Sequence, residues 1–167
     1  EFSERDIGER LADVGAVLSG RLDADRAGFT LRTLSGKPER DRAVSLLKAI
    51  LSRPAFDAAI LEREKARAIA GLEEAATKPE TIGAKAFNQA LYGAHPYALD
   101  ETGEVDSVRG LTRDDLVAFH RTHYRARNMV VALMGDLSRQ DAETLASSLA
   151  ADLPAGEPPA PVGPVVP

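Results

Sequence analysis

The 167-residue chain contains no cysteine. That excludes a disulfide framework, a thiolate zinc site and a cysteine nucleophile, and it leaves the compartment open, because many exported proteins also lack the residue. An excess of positive charge is missing too: 21 Lys and Arg stand against 26 Asp and Glu, a formal net charge of −5. Nucleic-acid surfaces normally carry a basic excess that displaces counterions from phosphates, so no nucleic-acid partner is expected. No run reaches the roughly 18 uninterrupted apolar residues of a membrane span. Phosphate-binding loops are absent, since Gly15 with Gly20 and Gly103 with Gly110 are dispersed and lack the accompanying lysine. No nucleophile elbow surrounds Ser45, Ser147 or Ser148. The chain opens on Glu1 and Phe2 with neither an initiator Met nor a basic and apolar leader. It reads as a piece of something longer, with any signal peptide lying elsewhere.

What remains is the balance of a globular domain, 44% hydrophobic and 28% charged, with no internal repeat. Ser3 with Asp6 forms a capping pair ahead of Ile7, Leu11 and Val14, and Gly15 ends that first helix. From Ala16 the period changes to two, through Leu22 and again over Phe29 to Thr33, an antiparallel hairpin turning at Asp23 to Arg26. Pro38 opens a helix carrying Ala43, Val44, Leu47 and Leu51, bounded by Pro54. A longer helix spans about Asp57 to Thr77, with the run Glu62 to Arg67 mostly solvated, and Pro79 begins another that Gly93 closes. Thr112 with Asp115 and Ser138 with Asp141 repeat the capping signature. Between them the apolar run Met129 to Met134, with Val130 and Val131 inside it, reads as a central buried strand. The fold class is therefore α+β, a small mainly antiparallel sheet covered by helices. Residues 1–153 read as one partial lobe. Six of the ten prolines fall in 154–167, which reads as a linker towards a following lobe.

The three histidines are the natural place to look for chemistry. His120 and His123 are three positions apart on a helix, where a zinc pair more often uses four, and Arg121 between them disfavours a divalent cation, so helix-surface or packing roles are expected. His95 lies in the turn-rich Tyr92-Gly93-Ala94-His95-Pro96-Tyr97 and reads as part of a loop folded back on the core. Gly135-Asp136 reads as a strand-to-turn transition before the Ser138 cap rather than a nucleotide site.

An ordered set of residues carries more information than any of these. Pro54-Ala55-Phe56-Asp57, Leu61-Glu62-Arg63-Glu64-Lys65, Pro79 at a helix start, Tyr92 to Tyr97, Gly103, Leu111 to Leu116, Phe119-His120, Tyr124, Asn128 and Gly135-Asp136 together resemble the pitrilysin and insulinase family of zinc metallopeptidases. The resemblance runs from about Ile7 to Leu153. It implies α+β lobes paired around a closed chamber in which unfolded peptides are cut. It also implies zinc held by an inverted His-x-x-Glu-His motif and by a glutamate on a later helix. The inverted motif does not occur in these residues; in the family it lies upstream of the first hairpin. On the later helix Glu64 and Lys65 match the family's glutamate-arginine pair, which places the third ligand at position 71, occupied here by Gly71. Glu73 and Glu74 are the substitutes, but they lie about 200° and 300° further around the helix.

The resemblance thus implies a lobe with no catalytic residue, no metal ligand and no cofactor of its own, zinc belonging to active relatives. Its partners would be a peptide substrate, held at residues not yet identifiable, and a second lobe or active subunit. An exported bacterial location fits that implication better than the cytoplasm. The alternatives are an active zinc metalloendopeptidase whose motif lies upstream, with Glu73 or Glu74 as third ligand, and a helix-rich interaction module.

Overall fold

A computed structural model describes residues 2–157 and 160–165, so Glu1, Pro158, Pro159, Val166 and Pro167, four of them in the expected proline-rich linker, lie outside the described residues. The elements in order are α1 (Glu4–Asp13), β1 (Val17–Leu22), β2 (Ala27–Arg32), α2 (Lys37–Ser52), α3 (Ala58–Ala75), α4 (Pro79–Tyr92), α5 (Val105–Gly110), α6 (Arg113–His123) and α7 (Arg139–Ala150), with 3-10 turns at Pro96–Ala98 and Ala126–Asn128. They fall into two compact units, residues 2–55 with 119–157 and residues 56–118 with 160–165, the division passing through α6. Among the described residues no helix is long and apolar enough to cross a membrane.

The first unit begins with a capping box. The Ser3 hydroxyl accepts from the Asp6 amide at 3.1 Å while the Asp6 carboxylate accepts from the Ser3 amide at 3.1 Å, which satisfies donors that a helix start otherwise leaves open. At the other end Gly15 adopts φ 60°, a left-handed conformation cheap only for glycine, and the Ala16 amide returns to the Leu11 carbonyl at 2.8 Å. This turn delivers Val14 and Ala16 to a core shared with Ala43 of α2, and Leu11 and Leu31 pack around it. The hairpin pairs Val17 with Arg32 through Leu22 with Ala27. Its turn is held by Asp23, whose carboxylate takes the Arg26 guanidinium at 2.9 Å and the Asp25 amide at 3.0 Å. Pro38 in the first turn starts α2, which buries Ala43, Leu46 and Leu47 and packs on α1, β2 and α7. Leu149 of α7 and Leu153 just beyond it complete the buried apolar set, and Lys48 reaches Asp152 at 3.3 Å.

Residues 154–157 close onto this unit. The Ala126 amide donates to the Pro154 carbonyl at 2.9 Å, the Arg127 amide to the Ala155 carbonyl at 3.2 Å, and the Arg127 side chain pairs with Glu157 at 2.6 Å. Gly156, at φ 56°, lies so close to Arg125 that a Cβ there would stand 2.6 Å from its Cδ.

In the second unit the Asp57 carboxylate accepts from the Ala59 and Ile60 amides at 2.8 and 3.1 Å and so starts α3. Phe56 just before it takes φ 47°, and its carbonyl accepts from Arg113 Nε at 3.1 Å. Helix α3 packs on α5, whose Val108 is buried, and α4 packs on the Pro96–Ala98 turn, whose Ala98 is buried.

The α+β class is as expected, with one correction within it. Met129 to Met134 is not a strand: the sheet of the described residues has two strands, and Val130 and Met134 are 95% and 99% exposed. Apolar patterning reports which residues should be covered, whereas a strand exists only when a neighbour accepts its ladder bonds, and none of the described residues does so.

Hydroxyl and backbone cap bonds hold the carboxyls of Asp6, Asp115 and Asp141 below the ordinary carboxylate range, the side-chain bond from Ser3, Thr112 or Ser138 being the largest cause. A carboxyl depressed on folding stabilises the fold above its unfolded value, about 3.9, and that stability is lost as pH falls through the depressed value. Urea midpoints should therefore hold level down to about pH 4 and decline below it, and Asp115→Asn should make the decline shallower; an unchanged decline would refute the assignment.

Candidate functional site

Helix α3 carries the positions that bear on metal chemistry. Its register is fixed at one end by the Asp57 cap and further along by Lys65, whose Nζ donates to the Leu111 carbonyl at 2.9 Å and pairs with Glu62 at 3.1 Å. The Lys65 side chain is only 13% exposed, so within the charged run it is a packing residue rather than a solvated one. Glu64 is held by its neighbours, Arg63 at 2.8 Å and Arg67 at 3.4 Å. Gly71 sits on the exposed side of the same helix, and a Cβ built on it would meet nothing within 4 Å. Glu73 and Glu74 are both exposed, and Glu74 pairs with Lys78 at 2.8 Å.

The histidines are engaged in packing. His95 Nδ1 accepts from the Tyr97 amide at 3.2 Å, capping the Pro96–Ala98 turn, and Nε2 stands 2.9 Å from the Gly163 carbonyl. Those partners fix the hydrogen on Nε2, because a carbonyl can only accept and an amide can only donate. Tyr92 and Tyr97 flank the ring, Tyr97 edge-on at 4.8 Å. His120 Nε2 reaches the Leu51 carbonyl at 2.7 Å and its ring stacks on Tyr124 at 4.8 Å, while His123 lies against Phe119 at 4.5 Å. Burial pushes the Tyr124 phenol up. Among the described residues no three His, Asp or Glu side chains gather where they could hold a metal ion. At position 71, where the resemblance would place a ligand, there is no side-chain oxygen, and two of the imidazoles are aimed at backbone carbonyls, so these particular residues do not form a zinc donor set.

One concavity is not indicated by the residue patterns. In the first unit a groove of 840 Å³ runs between β2 with the residues after it, α2, and the 129–137 segment. Phe29, Leu31, Val44, Leu47, Val131 and Leu145 line it. Two polar atoms on its wall, Thr33 Oγ1 and Arg40 Nε, are buried without a hydrogen-bond partner among the described residues, and the nearer oxygen of Asp41 stands 3.8 Å from Arg40 Nε. The apolar run Met129 to Met134 was the available signal, read as a strand rather than as one wall of an open groove.

Comparison with known proteins adds to this geometry. The profile described as Peptidase M16 inactive domain matches residues 110–167. A crystal structure of a peptidase M16 inactive domain from Pseudomonas fluorescens superimposes with a TM-score of 0.95 at 34% identity, over 99% of this chain and 40% of that one. A putative M16-like peptidase from Alicyclobacillus acidocaldarius superimposes with a TM-score of 0.77 at 24% identity, over 96% of this chain and 37% of that one, and so shares the fold. A Mycobacterium leprae protein described as an uncharacterized zinc protease is 36% identical over 73 residues, 42% of this chain and 16% of its own length. The chain thus spans less than half of each of these relatives.

Gly71→Ala should raise stability by about 1 kcal/mol, the helix-propensity difference unopposed by any clash, and Gly71→Glu should not retain stoichiometric zinc after dialysis. A Gly71→Ala that lowers the urea midpoint would contradict the open geometry. Nitrogen NMR should find His95 with its hydrogen on Nε2, and His95→Phe should speed amide exchange in residues 160–165; unaltered exchange would show that the Gly163 contact does not hold that segment.

Proposed function

We propose, from the premise that this chain belongs to the pitrilysin-type (M16) peptidase family, that it is part of a lobe without zinc that binds or encloses peptide beside an active partner. The observation that carries the reading is Gly71: on the helix where the resemblance reserves a place for a carboxylate ligand, this chain has a residue with no side-chain oxygen, and nothing lies within 4 Å of where its Cβ would stand. Lobes of this kind contribute by shape. A rigid wall that restricts access to solvent favours unfolded peptide over folded protein, and an unpaired sheet edge offers backbone hydrogen bonds to an extended chain without demanding a particular sequence.

The reading assigns no residue of this chain to bond cleavage. Water activation would be the task of the partner lobe's metal, and this chain would hold and orient peptide. Residues 154–157, docked on Arg125 and Arg127, would then be the point from which a connection to a following lobe departs.

The test is made on the parent polypeptide, by elemental analysis for zinc and by cleavage of an unstructured peptide, alone and mixed with a zinc-bearing lobe of the same family. No stoichiometric zinc, no cleavage alone, and cleavage in the mixture that exceeds the zinc lobe by itself are expected. Stoichiometric zinc with cleavage by the polypeptide alone would refute the reading and favour the active enzyme with Glu73 or Glu74 as ligand.

A further inference from the structure

A second concavity, of 550 Å³, lies in the first unit between α1 and α2. Three exposed guanidinium groups surround it: Arg10 from α1, Arg42 from α2, and Arg53 at the end of α2. Its floor is apolar, made by Val14, Leu46 and Ala49. On α2 the stripe through Arg42, Ser45, Ala49 and Arg53 lies about 180° around the helix from Val44, Leu47 and Leu51, which line the 840 Å³ groove. The two concavities therefore use opposite faces of one helix.

The three arginines have no carboxylate partner in the fold. Elsewhere on the same helices Arg5 pairs with Glu9 at 2.7 Å and Lys37 pairs with Asp41, yet no carboxylate of the described residues stands within 4 Å of Arg10, Arg42 or Arg53. Arg10 lies 4.5 Å over the Phe2 ring, and Asp6, four positions before it, is engaged by the Ser3 cap. A helix dipole accounts for Arg10, in the last turn of α1, and for Arg53, at the end of α2. It does not account for Arg42, which lies in the N-terminal half of α2. Two carboxylates also line the concavity, but Asp41 is taken by Lys37 and faces Arg40 at 3.8 Å, so Asp13 alone stands against three guanidinium groups. The result is a local positive excess on a chain whose formal net charge is −5.

Dimensions and lining select the ligand. Arg42 and Arg53 are separated by about 16 Å along the helix axis, too far for one phosphate or carboxylate to bridge and close to the span of five residues of extended peptide. A nucleic acid or a charged bilayer would meet the overall negative field of the chain, and neither would use an apolar floor. A peptide that mixes carboxylates with apolar side chains matches both parts.

We propose that the concavity between α1 and α2 is the docking site for an acidic segment of a partner polypeptide, about five residues in extended form. Its carboxylates meet Arg42 and Arg53 at the two ends and Arg10 from the side of α1, and its apolar side chains rest on Val14, Leu46 and Ala49. The Ser45 hydroxyl, midway along the stripe, supplies a further donor. This docking depends neither on zinc nor on the enclosure of a substrate.

Fluorescence anisotropy on the parent polypeptide tests it, with a fluorescein-labelled peptide of six residues alternating glutamate and leucine, and with its glutamine counterpart. The glutamate peptide is expected to bind at least tenfold more tightly than the glutamine peptide at low salt, and to be released as salt rises. Arg42→Gln and Arg53→Gln should each weaken binding about fivefold and together about 25-fold, since sites this far apart act additively. Arg5→Gln, on α1 but outside the concavity, should leave it unchanged. All of these side chains are exposed, and circular dichroism checks that each variant is folded. Absence of binding, equal affinity for the two peptides, or equal weakening by Arg5→Gln would overturn the proposal. Retention on phosphatidylglycerol vesicles that Arg42→Gln abolishes, with no binding of the peptide, would overturn it in favour of a lipid surface.

Discussion

The stripe Ala43, Leu46 and Leu47 on α2 is the surface around which the first unit assembles. Ala43, at 1% exposure, is small enough to let the corner between α1 and β1 approach, so that Val14 and Ala16 reach it. Leu46 and Leu47 are buried on the same helix, which packs on α1, β2 and α7. Full burial of one such leucine contributes about 1.5–3 kcal/mol, whereas an exposed ion pair such as Arg5–Glu9 or Arg139–Glu143 contributes about 1 kcal/mol at most. Although ion pairs are numerous, the few buried apolar side chains decide the stability of the unit. The second unit has even fewer, Ala98 and Val108, and relies on local devices: the Asp57 cap, Lys65 on the Leu111 carbonyl, and the aromatic cluster around His95.

Residue types usually associated with catalysis are occupied here by architecture. One imidazole caps a 3-10 turn, a second ties α6 to the end of α2, and a third lies against a phenylalanine. Asp6, Asp115 and Asp141 are helix caps and Asp23 and Asp100 turn residues, their carboxyls depressed by hydroxyls, amides and, at Asp23, first of all the Arg26 guanidinium, two or three positions away. Perturbed titration marks an active site when burial and a specific charge coincide in a cleft; among these aspartates it marks helix starts and tight turns. What distinguishes the chain is therefore shape, unpaired backbone and its likeness to M16 inactive domains.

The parts of this structure that were legible in the sequence are those with local causes. Ser3 with Asp6, Thr112 with Asp115 and Ser138 with Asp141 were readable as helix starts because a cap involves residues three apart and little else. Gly15 and the Asp23 turn were readable for the same reason. Helix α5 was not anticipated, because six residues with one buried side chain carry too short a periodicity. Lys65 was hidden in a run of alternating charge, since its partner is a carbonyl 46 positions away. The 129–134 run was misread because its pattern reports the need for cover while saying nothing of where the cover comes from. Position 71 acquired meaning only through the ordered resemblance, as no periodicity distinguishes that glycine from any other in an exposed helix.

The first unit is made of two stretches of chain, and residues 56–118 of the second unit lie between them in sequence. On the ribosome α2 emerges after α1 and the hairpin, but α7, which also packs on it, is translated about a hundred residues later. Helices α3, α4 and α5 are contiguous and can consolidate in the interval, as contacts close in sequence form first. Nascent α2 is thus the stretch on which a chaperone would have the longest opportunity to act, and a translational pause before α7 would prolong the most aggregation-prone stage of biogenesis.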